Sequence, residues 1–209
     1  MKLLIVGAAG KTGGEVVHCA RAHGFEVVAF VYRARSNKYF PVDVVVKQGN
    51  IMDYDSVLEA IRGADAVISV LGHVKGSDPL MQTKGMVNVA KAMKETGIKR
   101  LLSLTGTGAR VSGDTPSILD KVLNYVVARV DPERIHDGIE HIKILRGSSL
   151  DWTVVRVLKL GKSNKEINKY KLSAGGPAEL LTSRKKAARV LVDLVNNKEY
   201  IGQLPIISG

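Results

Sequence analysis

Three glycines at three-residue spacing, Gly7, Gly10 and Gly13, follow directly on the apolar run 2–6. A strand that ends in such a loop and opens into a helix can hold phosphate. The first N–H groups of the helix lack intrahelical partners and carry the positive end of its dipole. Gly7 lets the chain turn out of the strand, Gly10 leaves the backbone open to a pyrophosphate, and Gly13 lets the helix lie close on the strand. Gly7, Gly10, Lys11, Thr12 and Gly13 are therefore the expected phosphate cradle. A second cluster stands in Val31-Tyr32-Arg33-Ala34-Arg35-Ser36, with no carboxylate before Asp43. An acidic residue at this place would bond the ribose 2′-OH of NAD, whereas arginine accommodates the 2′-phosphate of NADP. Arg33 and Arg35 suit a dianionic phosphate through bidentate, charge-assisted hydrogen bonds, so NADP(H) is the expected cofactor.

Further polar stretches end apolar runs on the same side. Asn50 and Ile51 are expected beside the adenine, Asn50 through its amide and Ile51 by flanking the ring; Asn50 is also a natural turn residue. Leu71 and Gly72 end another run beside the central crevice, where Gly72 admits the cofactor ribose. His73 follows as a loop histidine that solvation alone accounts for. In Ser103-Leu104-Thr105-Gly106, alternation puts Ser103 and Thr105 on one side, with Thr105 nearer the crevice.

These residues need a frame, and the hydrophobic pattern supplies one. Strands are predicted over 2–6, 26–31, 43–46, 65–71, 99–105, 152–158 and near 204–208. Helices are predicted over 12–23, 54–61, 79–96, 117–130, 133–146 and 183–196. Asp53, and the pairs Asp78-Pro79, Thr115-Pro116 and Asp131-Pro132, supply start signals, while Gly63 and Gly97 supply stops. Alternation of this kind predicts an α/β fold: a doubly wound, mostly parallel, Rossmann-type sheet with helices on both faces. The chain has 209 residues, which suits one domain spanning 1–209. Its acceptor pocket is expected in the C-terminal part, about residues 105–180.

Composition narrows the function classes. Hydrophobic residues make up 45% of the chain, and no apolar stretch reaches the roughly 18 residues of a membrane span. The N-terminus reads as a strand and not a signal peptide, so a cytoplasmic protein is expected. Cys19, the single cysteine, falls on the first helix and reads as a packing residue. The net charge of +11 favours a phosphate-rich cofactor or an acidic ligand. Nucleic acid is a poor fit, because the basic residues are scattered and aromatics are only 5% of the chain.

The Gly-x-x-Gly-x-x-Gly form resembles the short-chain dehydrogenase/reductase superfamily. That resemblance implies a hydroxyl at Thr105 orienting the substrate carbonyl, and a catalytic tyrosine four residues before a lysine. Tyr32, Tyr39, Tyr54, Tyr125, Tyr170 and Tyr200 all lack that lysine. The nearest arrangement, Tyr125 before Arg129, puts an always-charged guanidinium where a tunable amine belongs, so Tyr125 reads as packing. The run Glu140-His141-Ile142-Lys143-Ile144-Leu145-Arg146-Gly147-Ser148-Ser149-Leu150-Asp151-Trp152-Thr153-Val154-Val155-Arg156 resembles the atypical branch of that superfamily. The likeness is to the NAD(P)H-binding, NmrA-like proteins and the biliverdin-IXβ/flavin reductases. It extends through Gly176-Pro177 and Thr182-Ser183-Arg184. Two positions depart from the pattern: Val157 stands where proline is usual, and Lys159 where the flavin reductases carry a pocket histidine. The resemblance implies an NADPH-dependent reductase of a planar conjugated acceptor such as a flavin, quinone or tetrapyrrole. Thr105 would lie near the nicotinamide, and Lys159 would hold an acidic acceptor or give a proton. The alternative is an NADP(H)-binding redox sensor without turnover. The expected partners are a small acidic or aromatic acceptor and, at most, a second copy of the chain.

Overall fold

Alternate residues of the first strand enter two separate cores, which is how a sheet becomes covered on both sides. Leu3 and Ile5 pack with Val16, Val17 and Ala20, while Leu4 and Val6 pack with Val57, Ile61, Met86 and Val89. The computed structural model describes residues 1–33, 40–72, 76–162 and 169–208. Its strands are β1 (Lys2–Val6), β2 (Glu26–Val31), β3 (Val45–Gln48), β4 (Ala66–Ser69), β5 (Arg100–Gly106), β6 (Asp151–Val157), β7 (Leu160–Gly161), β8 (Lys171–Ser173), β9 (Thr182–Ser183) and β10 (Ile206–Ser208). Its helices are α1 (Lys11–Ala22), α2 (Tyr54–Ile61), α3 (Met81–Thr96), α4 (Ile118–Val130), α5 (Pro132–Arg146) and α6 (Arg184–Asp193).

Eight strands form one sheet in the order β3-β2-β1-β4-β5-β6-β10-β8. All neighbours are parallel except β8, which runs antiparallel to β10. The chain builds outward from β1 to β3 and then returns to β4 on the other side of β1. The reversal opens a crevice at the carboxyl ends of β1 and β4, the usual ligand site of such sheets. Helices α1 and α6 cover one face; α2, α3 and α5 cover the other. This is the doubly wound Rossmann-type architecture that the alternating pattern predicts.

Local signals set most boundaries. Asp53 accepts from the Asp55 N–H to cap α2, and Gly97 ends α3 in the left-handed region at φ 76°. Pro132 opens α5, and Asp131 accepts from the Arg134 N–H at 3.2 Å. Two caps differ from expectation. Ser117, not Thr115, caps α4, its Oγ accepting from the Asp120 N–H at 3.1 Å, while the Thr115 hydroxyl is turned to the Gly175 carbonyl at 3.4 Å. Asp78 accepts from Leu80, yet α3 starts only at Met81. Its first turn is capped from another helix: Asp137 of α5 accepts from the N–H groups of Gln82 and Thr83 at 3.1 and 2.8 Å. The third strand is shifted from 43–46 to Val45–Gln48, and the short strands β7, β8 and β9 were not predicted. No helix among the described residues is long and apolar enough to cross a membrane.

Candidate functional site

The phosphate loop has a tight local geometry. Gly7, at φ +80°, turns out of β1, and its carbonyl accepts from the Gly10 N–H at 3.0 Å. An ideal Cβ on Gly13 would stand 2.1 Å from the Gly7 carbonyl oxygen and 2.7 Å from Ala8 Cα, so the helix can lie this close only with glycine there. Gly10 is the N-cap of α1, with no side-chain cap and no acidic residue in the first turn. The N–H groups of Lys11, Thr12 and Gly13 precede any acceptor their own helix can offer, and they are directed to whatever anion lies at its end.

Leu71 joins this loop to Ile51. The Cβ that Gly7 lacks would touch Val70 and Leu71 at 3.1 and 3.2 Å, so the β4 exit forms the floor under the loop. Ile51 is buried; its side chain and that of Leu71 both meet Gly85 of α3, and the Ile51 carbonyl accepts from Asn88 Nδ2 at 2.9 Å. Asn50 is exposed, and its Oδ1 accepts from the Met52 N–H at 3.0 Å, a turn in the side chain's own bonding. Gly72 is exposed at the rim. Arg33 is exposed after β2, with its guanidinium 5.7 Å from the centre of the exposed Tyr32 ring. Arg35 and His73 lie outside the described residues.

Thr105 is half-buried at the end of β5, and Gly138 of α5 backs directly onto its hydroxyl. Below it lies a buried network that has no local signature in the sequence. Gln82 Nε2 donates to His141 Nδ1 at 3.0 Å, which leaves Nε2–H of His141 to donate to Ser103 Oγ at 3.1 Å. Burial lowers the His141 pKa to about 4, so the imidazole is neutral at ordinary pH and is no proton donor to the crevice. The same carboxylate of Asp137 that caps α3 also accepts from Thr83 Oγ1 at 2.6 Å and fastens α3 to α5.

The rim beyond β5 is pinned by a buried ion pair. Arg156, fully buried in β6, makes a two-pronged bond to Asp114 at 2.6 and 2.7 Å and donates from Nε to the Leu204 carbonyl at 2.9 Å. Burial pushes the Asp114 carboxyl up, but the hydrogen bonds from Arg156 and the Val111 N–H and the charges of Arg156 and Arg110 outweigh it, leaving the pKa below its ordinary value. Lys159 is separate from these groups. It is exposed, and its carbonyl accepts from the Thr182 N–H at 2.8 Å, where β7 and β9 pair.

Two expectations about other residues resolve differently. Cys19 packs against the α1–α6 core, and burial raises its thiol to about 11, far from a nucleophile. Tyr125 does not pack: it is 60% exposed, with the Arg129 guanidinium 5.0 Å from its ring centre. No group of metal-ligating side chains is assembled among the described residues.

The loop therefore fits a dinucleotide pyrophosphate: a helix end whose N-cap residue brings no side chain, a close-packed glycine beneath it and a crevice alongside. Comparison with known proteins agrees. Residues 7–198 match the family described as NAD(P)H-binding. A Bacillus subtilis protein, YwnB, which is uncharacterized, is 32% identical over 111 residues, 52% of this chain and 49% of that protein. Phenylcoumaran benzylic ether reductase IRL1 of Ginkgo biloba is 30% identical over 111 residues, 48% of this chain and 34% of that protein. The chain thus spans half or less of the length of these relatives. Among solved structures, a short-chain dehydrogenase/reductase of Veillonella parvula in complex with NADP superposes with a TM-score of 0.81 at 16% identity, covering 100% of this chain and 94% of that one. ChuY, an anaerobilin reductase of Escherichia coli O157:H7, superposes at 0.80 with 18% identity, covering 100% and 97%. With the family matched across nearly its whole length, this chain belongs to the NAD(P)H-binding family of Rossmann-fold proteins.

Proposed function

We propose that the protein is an NADPH-dependent reductase of a planar conjugated acceptor, a flavin, quinone or linear tetrapyrrole. The observation that carries this reading is that, among the described residues, the immediate neighbours of Thr105 bring no acid or base to the β5 end. Thr105 presents a hydroxyl there, while Gly106 and Gly138 beside it bring no acid or base. His141, beneath it, is buried and neutral. A carbonyl reductase needs a proton donor at this place. A conjugated ring that spreads the incoming charge needs only orientation and a positive surround. A bound nicotinamide supplies the hydride. The α1 N-terminus, with Lys11 and Thr12, holds the pyrophosphate, and Arg33 and Arg35 the 2′-phosphate that selects NADPH. Ile51 and Leu71 close the adenine end, while Thr105 orients the ring that accepts. The matching proton comes from solvent, while the charge of Lys159 Nζ suits an acidic acceptor. The likeness to the anaerobilin reductase ChuY supports an acceptor of this class.

The test is NADPH oxidation with flavin mononucleotide, a short-chain quinone and biliverdin as acceptors. Thr105→Val is expected to lower kcat more than it raises KM, and Lys159→Ala to raise KM for flavin mononucleotide with kcat nearly unchanged. Tyr125→Phe is expected to change turnover less than about threefold. A loss on the order of a hundredfold or more in Tyr125→Phe would restore a tyrosine-dependent mechanism. Tight NADPH binding with no turnover of any of these acceptors would replace the reductase by a sensor.

A further inference from the structure

Helix α4 carries its polar side inward and its apolar side outward. Asp120, with 2% of its side chain exposed, accepts from Arg110 Nη2 at 3.0 Å and from Asn124 Nδ2 at 2.5 Å; Thr107 Oγ1 lies 3.4 Å away. The opposite arc is Ile118 (81% exposed), Leu119, Val122, Tyr125, Val126 and Val130 (80% exposed). At about 100° per residue these six span an arc of roughly 140°. A surface helix of a globular protein normally turns such a stripe toward the core. Here the core side is already taken by the Asp120 network, so the apolar side is left for a partner.

We propose that the partner is α4 of a second copy of this chain, packed antiparallel across a two-fold axis beside position 124. Ile118, Val122, Val126 and Val130 make an unbroken row at four-residue spacing. The row is symmetric about 124, so an antiparallel copy sets Ile118 against Val130 and Val122 against Val126, with every pair apolar. Rows of this kind interdigitate in the commonest mode of helix packing, and their short branched side chains let the axes approach. The antiparallel arrangement also opposes the two helix dipoles. The six residues together expose on the order of several hundred Å² of contiguous apolar surface per copy, the scale of patch that specific interfaces cover, where each partner gives roughly 800 Å² in a standard one. An anionic bilayer fits less well, because α4 offers no tryptophan or phenylalanine to anchor between headgroups.

Charge separates the two occupants. Each copy carries +11, so repulsion opposes pairing and salt relieves it, whereas salt weakens attraction to an anionic membrane. In sedimentation velocity the protein is expected to show a concentration-dependent monomer–dimer equilibrium that shifts toward dimer as salt rises. Val122→Lys and Val126→Glu change exposed positions and should leave the circular dichroism and Tm of the monomer as they are, while raising the dimer Kd at least tenfold each. An equimolar mixture of the two variants is expected to dimerise again, because the register sets the new opposite charges against each other. Several outcomes overturn the proposal: a wild-type protein that stays monomeric at every concentration, variants that dimerise as well as wild type, or a mixture that stays monomeric. Wild-type monomers that instead sediment with phosphatidylserine vesicles would assign the face to membrane.

Discussion

Gly10 and Gly13 lie three residues apart in one loop, yet they are expected to fail in different ways when replaced by alanine. At Gly13 the new Cβ would sit 2.1 Å from the Gly7 oxygen and under 3 Å from Ala8, all backbone, where ordinary contact begins at 3.4 Å. The chain can relieve this only by lifting the start of α1 about 1 Å off β1, an overpacking that costs about 1–3 kcal/mol. At about 2–4 °C per kcal/mol for a chain of this size, the Tm of Gly13→Ala should fall by about 2–12 °C. The same lift draws the first N–H groups of α1 out of hydrogen-bond range of a pyrophosphate, so NADPH binding should be lost with it. At Gly10, which is exposed, the Cβ would meet among the described residues only the Gly7 oxygen, at 3.2 Å. Gly10→Ala should therefore keep its Tm within about 2 °C, while weakening NADPH about tenfold or more, a loss of at least 1.4 kcal/mol. Thermal melts of the free protein and titration calorimetry with NADPH read the two effects separately. Wild-type NADPH affinity in Gly10→Ala would remove the pyrophosphate from this loop, and a wild-type Tm in Gly13→Ala would refute the close helix–strand contact.

Two further outcomes follow from other groups. Arg33→Ala should weaken NADPH by roughly ten- to a hundredfold, the worth of a charge-assisted bond of about 1.5–3 kcal/mol, and NADH by less than threefold; equal losses for both cofactors would place Arg33 outside the site. His141 titrates near its ordinary 6.5 when unfolded but at about 4 when buried, so the unfolded chain takes up a proton first as pH falls. The stability His141 confers is complete above about pH 6.5 and is lost progressively as pH falls toward 4, about 2 kcal/mol of it between pH 7 and pH 5. Urea unfolding at those two pH values measures this, and His141→Gln should flatten that part of the dependence; an unchanged slope in the variant would assign the effect to another group.

What was legible in the sequence was local. The Gly7–Gly13 loop between an apolar run and a helix, the Asp131-Pro132 entry to α5 and the Gly97 stop of α3 each depend on neighbours a few residues away. What was not legible depends on partners far along the chain. Strand β8 exists because Leu172 pairs with Ile207, and β9 because Thr182 pairs with Leu160, so neither carries a period of its own. The apolar run at 43–46 promised a strand there, but Val45 and Val46 are exposed on an edge strand, where burial does not fix the register. Tyr125 reads from the sequence as a packing residue, yet the apolar face of α4 that carries it points outward. The buried Asp120, bonded to Asn124 one turn on and to Arg110, turns that face away from the core. The network under Thr105 draws Gln82, Ser103 and His141 from three elements, and the Arg156–Asp114 pair spans two more. Spacing alone could find neither.

The contact between α1 and α6 bears on how the protein is made. Val16, Val17 and Ala20 on the first helix share a core with Ala187, Ala188, Val190 and Leu191 on the last. A ribosome delivers the phosphate loop and its helix well before the helix that seals them, which emerges only after β6 and the segments that follow it. Until then α1 presents bare apolar surface on a nascent chain, the condition in which chaperones engage and aggregation starts. The loop and its helix, made early within this fold, are thus among its last parts to become rigid, and premature release before α6 would leave a cofactor loop with nothing behind it.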